Sequence, residues 1–318
     1  MAFLVPEKNN KEKFLIIHHT DDDGHAGGAI VYNYLIRQGN DKESIFNIET
    51  DYNFDTLISR IKEIGDTFRH IYIVDISFTL KTISTIGEIR DICSYITWFD
   101  HHASSLEVAR NKKKYLNDLK IVYHITTKHC GAMIAFINLF PDLFPTETLK
   151  YIDMYDRWDF QMPDVEEFHY GFGTLIENPK DIRSLEWEGV LFNSTDTYVK
   201  RSIFVGKNIL KFLDNEYATI RNAAMIIKDI SIDDHNYRVA IINHPAGFSR
   251  LFGDEIDNVD FVMRFNLEKT FRYTYSLYSR KDNIHVGKIC EYFGGGGHKG
   301  AAGFSSDKSP LELFNVKE

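Results

Sequence analysis

Tyr95-Ile96-Thr97-Trp98-Phe99-Asp100-His101-His102 reads as a strand that ends abruptly in metal-binding chemistry. Its β-branched and aromatic residues suit an extended, buried segment. The acid and two imidazoles that follow are donors for hard or borderline cations. In an open α/β sheet ligands bind beyond the carboxyl ends of the strands, so this stretch predicts both a sheet and its working edge. An isolated Asp-His-His is more often surface or satisfied core, so partners elsewhere in the chain decide its meaning.

Outward from this stretch, short β-type runs alternate with amphipathic ones. Phe14 to His19 and Ile71 to Val74 read as strands, as does Leu119 to His124. Helical spacing of apolar residues marks Gly24 to Arg37, Phe54 to Ile64, Thr79 to Ile92, Gly131 to Phe140 and Pro145 to Tyr155. This alternation predicts an α/β fold with a doubly wound parallel sheet. From Asp164 to Thr195 the pattern weakens and turns aromatic and acidic. A long helical stretch, Thr197 to Met225, then leads to a second set: a strand at Tyr237–Asn243, a short helix at Gly247–Ile256, paired strands at Val259–Asn266 and Thr270–Ser279, and a helix at His285–Phe293. The expected organisation is a first domain over 1–195, a helical linker over 196–225 and a smaller α/β domain over 226–318, with a cleft between the two domains.

The 318 residues are enough for two cores, and 43% hydrophobic with 26% charged residues is ordinary for a globular protein. No apolar run is long enough to span a bilayer, and the N-terminus lacks the pattern of a secretory leader. Cys93, Cys130 and Cys290 are odd in number and widely spaced, which argues against a disulfide framework or a thiolate zinc site and suits the cytoplasm. The net charge of −9 disfavours a large duplex-binding surface, while leaving room for short single-stranded oligonucleotides or nucleotides in a local basic pocket.

Four acidic stations are visible. The first strand runs into His18-His19-Thr20-Asp21-Asp22-Asp23-Gly24, where alternation would send His19, Asp21 and Asp23 to one side and Asp22 to the other. Turn and helix-capping chemistry is the competing account of these acids. Asp75 directly follows Ile71-Tyr72-Ile73-Val74, and a cap for the next helix is the plain alternative. Asp100-His101-His102 is the third station. Tyr151-Ile152-Asp153-Met154-Tyr155-Asp156-Arg157-Trp158 is the fourth, with two acids three apart on one helix face. Parallel strands bring the first three stations to one edge. Carboxylates and imidazoles without thiolates favour Mn²⁺ or Mg²⁺, with Fe²⁺ or Co²⁺ as alternatives, over structural zinc. So many acids exceed one ion's needs and suit a pair about 3.5–4 Å apart.

His19-Thr-Asp21-Asp-Asp23-Gly24, Val74-Asp75-Ile76-Ser77, Asp100-His101-His102 and Tyr155-Asp156-Arg157-Trp158 resemble, in order, the four motifs of the DHH phosphoesterase superfamily. Gly294-Gly-Gly-Gly297-His298-Lys299-Gly300-Ala301-Ala302-Gly303-Phe304 is similar to the signature of its companion DHH-associated (DHHA1) domain. Ser279-Arg280-Lys281-Asp282-Asn283-Ile284-His285-Val286 matches the stretch that precedes that signature. The compact first motif, the Tyr-Asp-x-Trp segment and Thr127-Lys-His-Cys-Gly131 resemble most the oligoribonuclease B (NrnB-like) branch, of nano-RNase or cyclic-nucleotide phosphodiesterase activity.

The resemblance implies that His19 and Asp21 bind a first metal, that Asp75 bridges, and that Asp23, His101 and Asp156 hold the second. It implies that His102 faces the substrate phosphate and that Asp100 orients or supplements the metal shell, so His102, Asp75 and Asp100 form the catalytic set. Asp153 competes with Asp156 as a ligand, and His18 with His19. Substrate binding falls to Gly295, Gly296 and Gly297, whose N–H groups can face an anion, to His298 and Lys299, to Arg280, and less strongly to Arg264. The implied activity is two-metal hydrolysis of short RNA oligonucleotides, with Mn²⁺ as the expected pair of ions. Alternatives are a 3′-phosphoadenosine-5′-phosphate (pAp) phosphatase, a cyclic mono- or dinucleotide phosphodiesterase and a catalytically silent nucleotide sensor. A sensor should have lost ligands, and here every one is present. A RecJ-type exonuclease carries further DNA-binding modules, and an inorganic pyrophosphatase lacks the Gly-Gly-Gly-His loop. A homodimer is compatible with all of these readings.

Overall fold

Phe14–His18 (β1) buries all five of its residues, as do the last four of Phe68–Val74 (β3) and the last five of Cys93–Asp100 (β4). Only strands covered on both faces read this way. In the computed structural model, which describes residues 12–65, 67–193, 196–245, 249–297 and 299–314, these strands join Ile45–Glu49 (β2) and Ile121–Ile125 (β5) in one parallel sheet of order β2-β1-β3-β4-β5. This is the flavodoxin-like doubly wound order, whose switch point lies between β1 and β3.

The two-residue period of the strands divides the core. Ile16, Val74 and Phe99 pack with the helices Asp22–Arg37, Gly131–Leu139, Glu147–Asp156, Val165–Leu175 and Leu185–Phe192. Leu15, Ile17, Ile73 and Trp98 pack on the other face with Phe54–Ile64, Ser84–Arg90, Ala103–Asn111 and Lys113–Asp118. The expected doubly wound parallel sheet is what the chain forms.

The chain divides into two compact units, Met1–Ile209 and Leu210–Glu318, and the helix Asp196–Ala224 contributes to both. The second unit is built on a mixed sheet of order β10-β11-β9-β8-β7-β6. Its strands are Ile226–Ile232 (β6), His235–Asn243 (β7), Phe261–Leu267 (β8), Tyr273–Tyr278 (β9), Gly296–Gly297 (β10) and Ala301–Ser306 (β11). Only β7 and β8 pair in parallel. Val239, Ile241, Met263 and Leu277 face one core, and Ala240, Ile242 and Val262 the other.

Several elements depart from the sequence expectation. β2 and β6 lie at sheet edges and are only partly buried, so neither carries a clear apolar run. The aromatic and acidic stretch after Asp164 holds two helices, Val165–Leu175 and Leu185–Phe192. Phe168, Phe172, Trp187 and Leu191 anchor them in the core, so packing supports them where local pattern did not. The helix expected from Thr79 to Ile92 shortens to Ser84–Arg90. The one expected over Gly247–Ile256 is a 3₁₀ turn at Ser249–Phe252 and a short helix at Glu255–Asn258, with 246–248 outside the described residues. Among the described residues no helix is long and apolar enough to cross a membrane.

Trp98 ties the core to the sheet edge. It is fully buried, stands edge-on to Phe78 and donates its indole N–H to the Ile76 carbonyl at 2.9 Å, just past Asp75. Trp98→Ala is expected to destabilise the first unit by about 3–5 kcal/mol, measured by urea unfolding followed by circular dichroism. A loss below about 1 kcal/mol would contradict this anchoring role.

Candidate metal centre

Three adjacent strands, β1, β3 and β4, end in the predicted stations, and the helix Glu147–Asp156 brings the fourth to the same edge. His19, Asp21 and Asp75 form one group of donor atoms, and Asp23, His101 and Asp156 form another, each within 4.8 Å of one another. Asp75 also groups with Asp100, His101 and His102. Among the described residues none of these groups contains a cysteine.

Asp75 faces both groups. Its Oδ2 lies 3.5 Å from His19 Nδ1, which donates to Asp21 Oδ2 at 2.7 Å. Its Oδ1 lies 3.3 Å from His101 Nε2, and that nitrogen stands 3.1 Å from Asp156 Oδ2 and 3.9 Å from Asp23 Oδ2. The Asp75 backbone is left-handed, at φ 56°, a costly conformation for a non-glycine residue. Asp75 caps no helix, since the next begins at Ser84.

The Asp cluster is arranged differently from the expected alternation. Asp21 is the N-cap of the helix Asp22–Arg37, accepting from the Gly24 N–H at 2.9 Å, and Asp22 and Asp23 lie in its first turn. Asp22 does point elsewhere, pairing with His169 at 3.1 Å. Asp23 accepts from the Gly131 and Ala132 N–H groups at 2.7 and 2.6 Å, so the N-terminus of Gly131–Leu139 holds its carboxylate. A Cβ on Gly131 would stand 2.9 Å from the Asp75 Cβ, so glycine is what lets this helix end approach.

Electrostatics make the centre costly without cations. Burial raises Asp75 and Asp23 well above the usual carboxylate range, and for Asp23 the Asp75 charge adds to it. Asp156 is pushed up to about 7 by burial and by Asp23. Against the upward push of burial, hydrogen bonds from His19 and Gly24 hold Asp21 at about 2. Burial opposes the charged forms of His19 and His102, yet Asp21 with Asp75 raises the first to about 10, and Asp100 raises the second to about 9. Asp75 Oδ1 and Asp156 Oδ2 are buried and accept no hydrogen bond, because His101 is near but out of line. Orphaned carboxylate oxygens, crowded like charges and imidazoles without thiolates fit divalent cations of the Mn²⁺ and Mg²⁺ class.

The competing residues separate. Asp153 accepts the Cys130 N–H at 2.6 Å and a two-armed pair from Arg157 at 3.2 and 3.1 Å, and lies in neither group. His18 is buried behind the edge, bonds the His19 carbonyl at 2.8 Å and is driven down to about 4 by burial. Asp100 Oδ1 accepts from His102 Nδ1 at 2.8 Å. Tyr52, also left-handed at φ 69°, sets its ring 5.0 Å from His19. The sequence marks Gly131 only as the end of the Thr127–Gly131 segment and Tyr52 not at all, because both contacts join residues far apart in the chain.

In the second unit Arg280 lies just past β9, not on it, and pairs with Asp257 at 3.3 Å. Lys299 pairs with Asp282 at 3.3 Å. Arg264, on β8, donates to the Pro245 carbonyl at 2.9 Å. A Cβ at Gly295 or Gly297 would strike β11, within 2.2 Å of Gly303 O and 2.6 Å of Ala302 Cα, so sheet packing already demands glycine there. Gly296 has open space around it. His298 lies outside the described residues.

No protein-family model matches the chain. An uncharacterised protein of Acanthamoeba polyphaga mimivirus is 27% identical over 332 residues, spanning 98% of this chain and 73% of that protein. Among solved structures, the DHH domain of a protein classed with ribosomal proteins aligns with a TM-score of 0.59 at 14% identity, over 93% of this chain and 83% of that one. An exopolyphosphatase-related protein from Bacteroides fragilis gives 0.52 at 14% identity, over 95% and 89%. Exonuclease RecJ bound to manganese gives 0.50 at 13% identity, over 96% and 88%. At these identities the likeness is one of fold.

With a chelator present, the folded protein keeps the Asp156 proton up to about pH 7, whereas the unfolded chain releases it near pH ~4. Folding then binds a proton between these values, so this group makes stability fall as pH rises through them. Asp156→Asn is expected to flatten that part of the stability–pH curve and to weaken Mn²⁺ binding about tenfold or more by calorimetry. An unchanged curve together with unchanged affinity would remove Asp156 from the site.

Proposed function

We propose that this chain, a two-domain α/β protein with the DHH fold, is a metal-dependent phosphodiesterase that hydrolyses short single-stranded RNA oligonucleotides. The observation that carries this reading is Asp75, whose two carboxylate oxygens each face a different donor group. A carboxylate shared in this way is what a two-metal phosphoryl-transfer site requires.

His19 and Asp21 would hold one cation, and Asp23, His101 and Asp156 the other, with Asp75 common to both. When bound, the cations supply Lewis acidity toward the phosphate and an activated water at neutral pH. Mn²⁺ is the preferred ion on donor chemistry, with Mg²⁺ or Co²⁺ as substitutes. The chain's own residues do the positioning. Asp100 holds a proton at His102 Nδ1, so the other ring nitrogen is left to meet a non-bridging phosphate oxygen, as a donor when the ring is protonated. Asp23, pinned by two backbone N–H groups, cannot swing away from its group. Trp98 fixes the turn after Asp75.

Arg280, Lys299, His298 and the Gly295–Gly297 loop are proposed to hold a terminal group of the substrate, with Arg264 a weaker participant because it already serves a backbone carbonyl. Arg280 and Lys299 would exchange their exposed acidic partners for phosphate, a replacement that costs little because exposed ion pairs are weak.

The test is a product-resolved assay of di- to pentaribonucleotides, pAp and cyclic nucleotides with Mn²⁺ or Mg²⁺. Dinucleotide turnover with Mn²⁺ is expected, and Asp75→Asn should lower kcat at least about a hundredfold. Near-native turnover by Asp75→Asn would overturn the shared-ligand assignment. Turnover of pAp or cyclic nucleotides without oligonucleotides would move the activity to those substrates.

A further inference from the structure

Beside the donor groups the first unit has a cavity of about 120 Å³. Asp21, Asp23 and Asp156 line it together with Tyr155, Trp158 and His169. Purely phosphate substrates need no aromatic wall next to the reacting group. The geometry points to Tyr155 and Trp158 as a stacking clamp for the nucleobase of the nucleotide that carries the scissile phosphate. This deepens the phosphodiesterase reading above and rests on it.

Three observations support the clamp. The Tyr155 ring is backed on one face by His169, with centroids 3.6 Å apart and planes within 8°. His169 is itself held by Asp22 at 3.1 Å, so Tyr155 is a fixed platform. Trp158 stands on the same aromatic cluster at 6.1 Å from Tyr155, tilted only 26°. The two rings are an offset pair with Phe160 edge-on to both at 6.3 and 5.7 Å, and Tyr155 and Trp158 line the cavity beside Asp156.

The backbone gives the third observation. After the helix Glu147–Asp156 the Trp158 N–H bonds the Tyr155 carbonyl at 3.0 Å, and the Asp159 N–H bonds the Met154 carbonyl at 2.9 Å. This pair of bonds is a Schellman cap, and its left-handed position normally takes glycine. Here it holds Trp158, at φ 54° and 66% exposed. A bulky residue in this conformation is disfavoured, and an exposed indole gains little from burial to offset it. What the position does achieve is an indole displayed two residues beyond Asp156.

The chain's three tryptophans make the clamp directly observable, because Trp98 and Trp187 are fully buried. In Mg²⁺, adenosine 5′-monophosphate is expected to quench tryptophan fluorescence saturably, and ribose 5-phosphate is not. Trp158→Phe should abolish the quench while keeping a stacking ring. Kinetically, Trp158→Ala should raise KM for an adenylyl dinucleotide about tenfold, and Trp158→Phe should recover most of it. Equal responses to the two monophosphates, or a KM that Trp158→Ala leaves alone, would overturn the clamp. If no phosphodiester is hydrolysed at all, the proposed activity fails and the fluorescence titration still decides the clamp.

Discussion

Crowding of like charge at the carboxyl edge of one sheet is the constraint on which the rest depends. Asp75 and Asp100 are buried at the ends of adjacent strands, Asp23 is buried beside them, and Asp21 and Asp156 complete the ring. In a low-dielectric setting such a cluster is strongly unfavourable, and the group response is to keep protons. The raised positions of Asp23, Asp75 and Asp156 are that response. Divalent cations would replace those protons and turn the repulsion into coordination. The buried oxygens of Asp75 and Asp156 that accept no hydrogen bond are the same demand seen as geometry.

The fold supplies what holds these charges in place. Strand pairing sets β1, β3 and β4 side by side in matched register, so Val74 lies beside both His18 and Phe99 and the three chain ends emerge together. Apolar cores on both faces make that edge stiff. The N-terminus of Gly131–Leu139 then presents backbone N–H groups to Asp23 and, one residue earlier, to Asp153. Asp153 and Arg157 brace the helix end that presents Asp156. Of the left-handed non-glycine residues, Tyr52, Asp75 and Trp158 lie around this edge, and Lys120, Asp164, Asp233, Asp234 and Phe271 are the others.

Much of this is legible in the sequence. Strand ends in Asp and His, spaced by amphipathic helices, pointed to the parallel sheet and to its working edge. The buried strands were readable because β1, β3 and β4 are nearly continuous apolar runs. Edge strands β2 and β6 were not, since half-exposed segments such as Ile226–Ile232 mix isoleucine with Lys228 and Asp229. The convergence of Asp156 with His101, as against Asp153, depended on how a helix end meets a strand end, which residues three apart on one face do not reveal. The role of Gly131 was hidden for the same reason, being a contact across more than a hundred residues. In the second unit, packing against β11 accounts for Gly295 and Gly297, so a glycine run that reads as a phosphate nest is partly a structural necessity.

The central claim is that Asp75 joins two cation sites into one centre. Electron paramagnetic resonance during a Mn²⁺ titration of the full chain tests it directly. The account predicts two ions per chain and a spin-coupled spectrum from a pair about 3.5–4 Å apart. Binding of a single ion, or of two that stay magnetically independent at saturation, would contradict it.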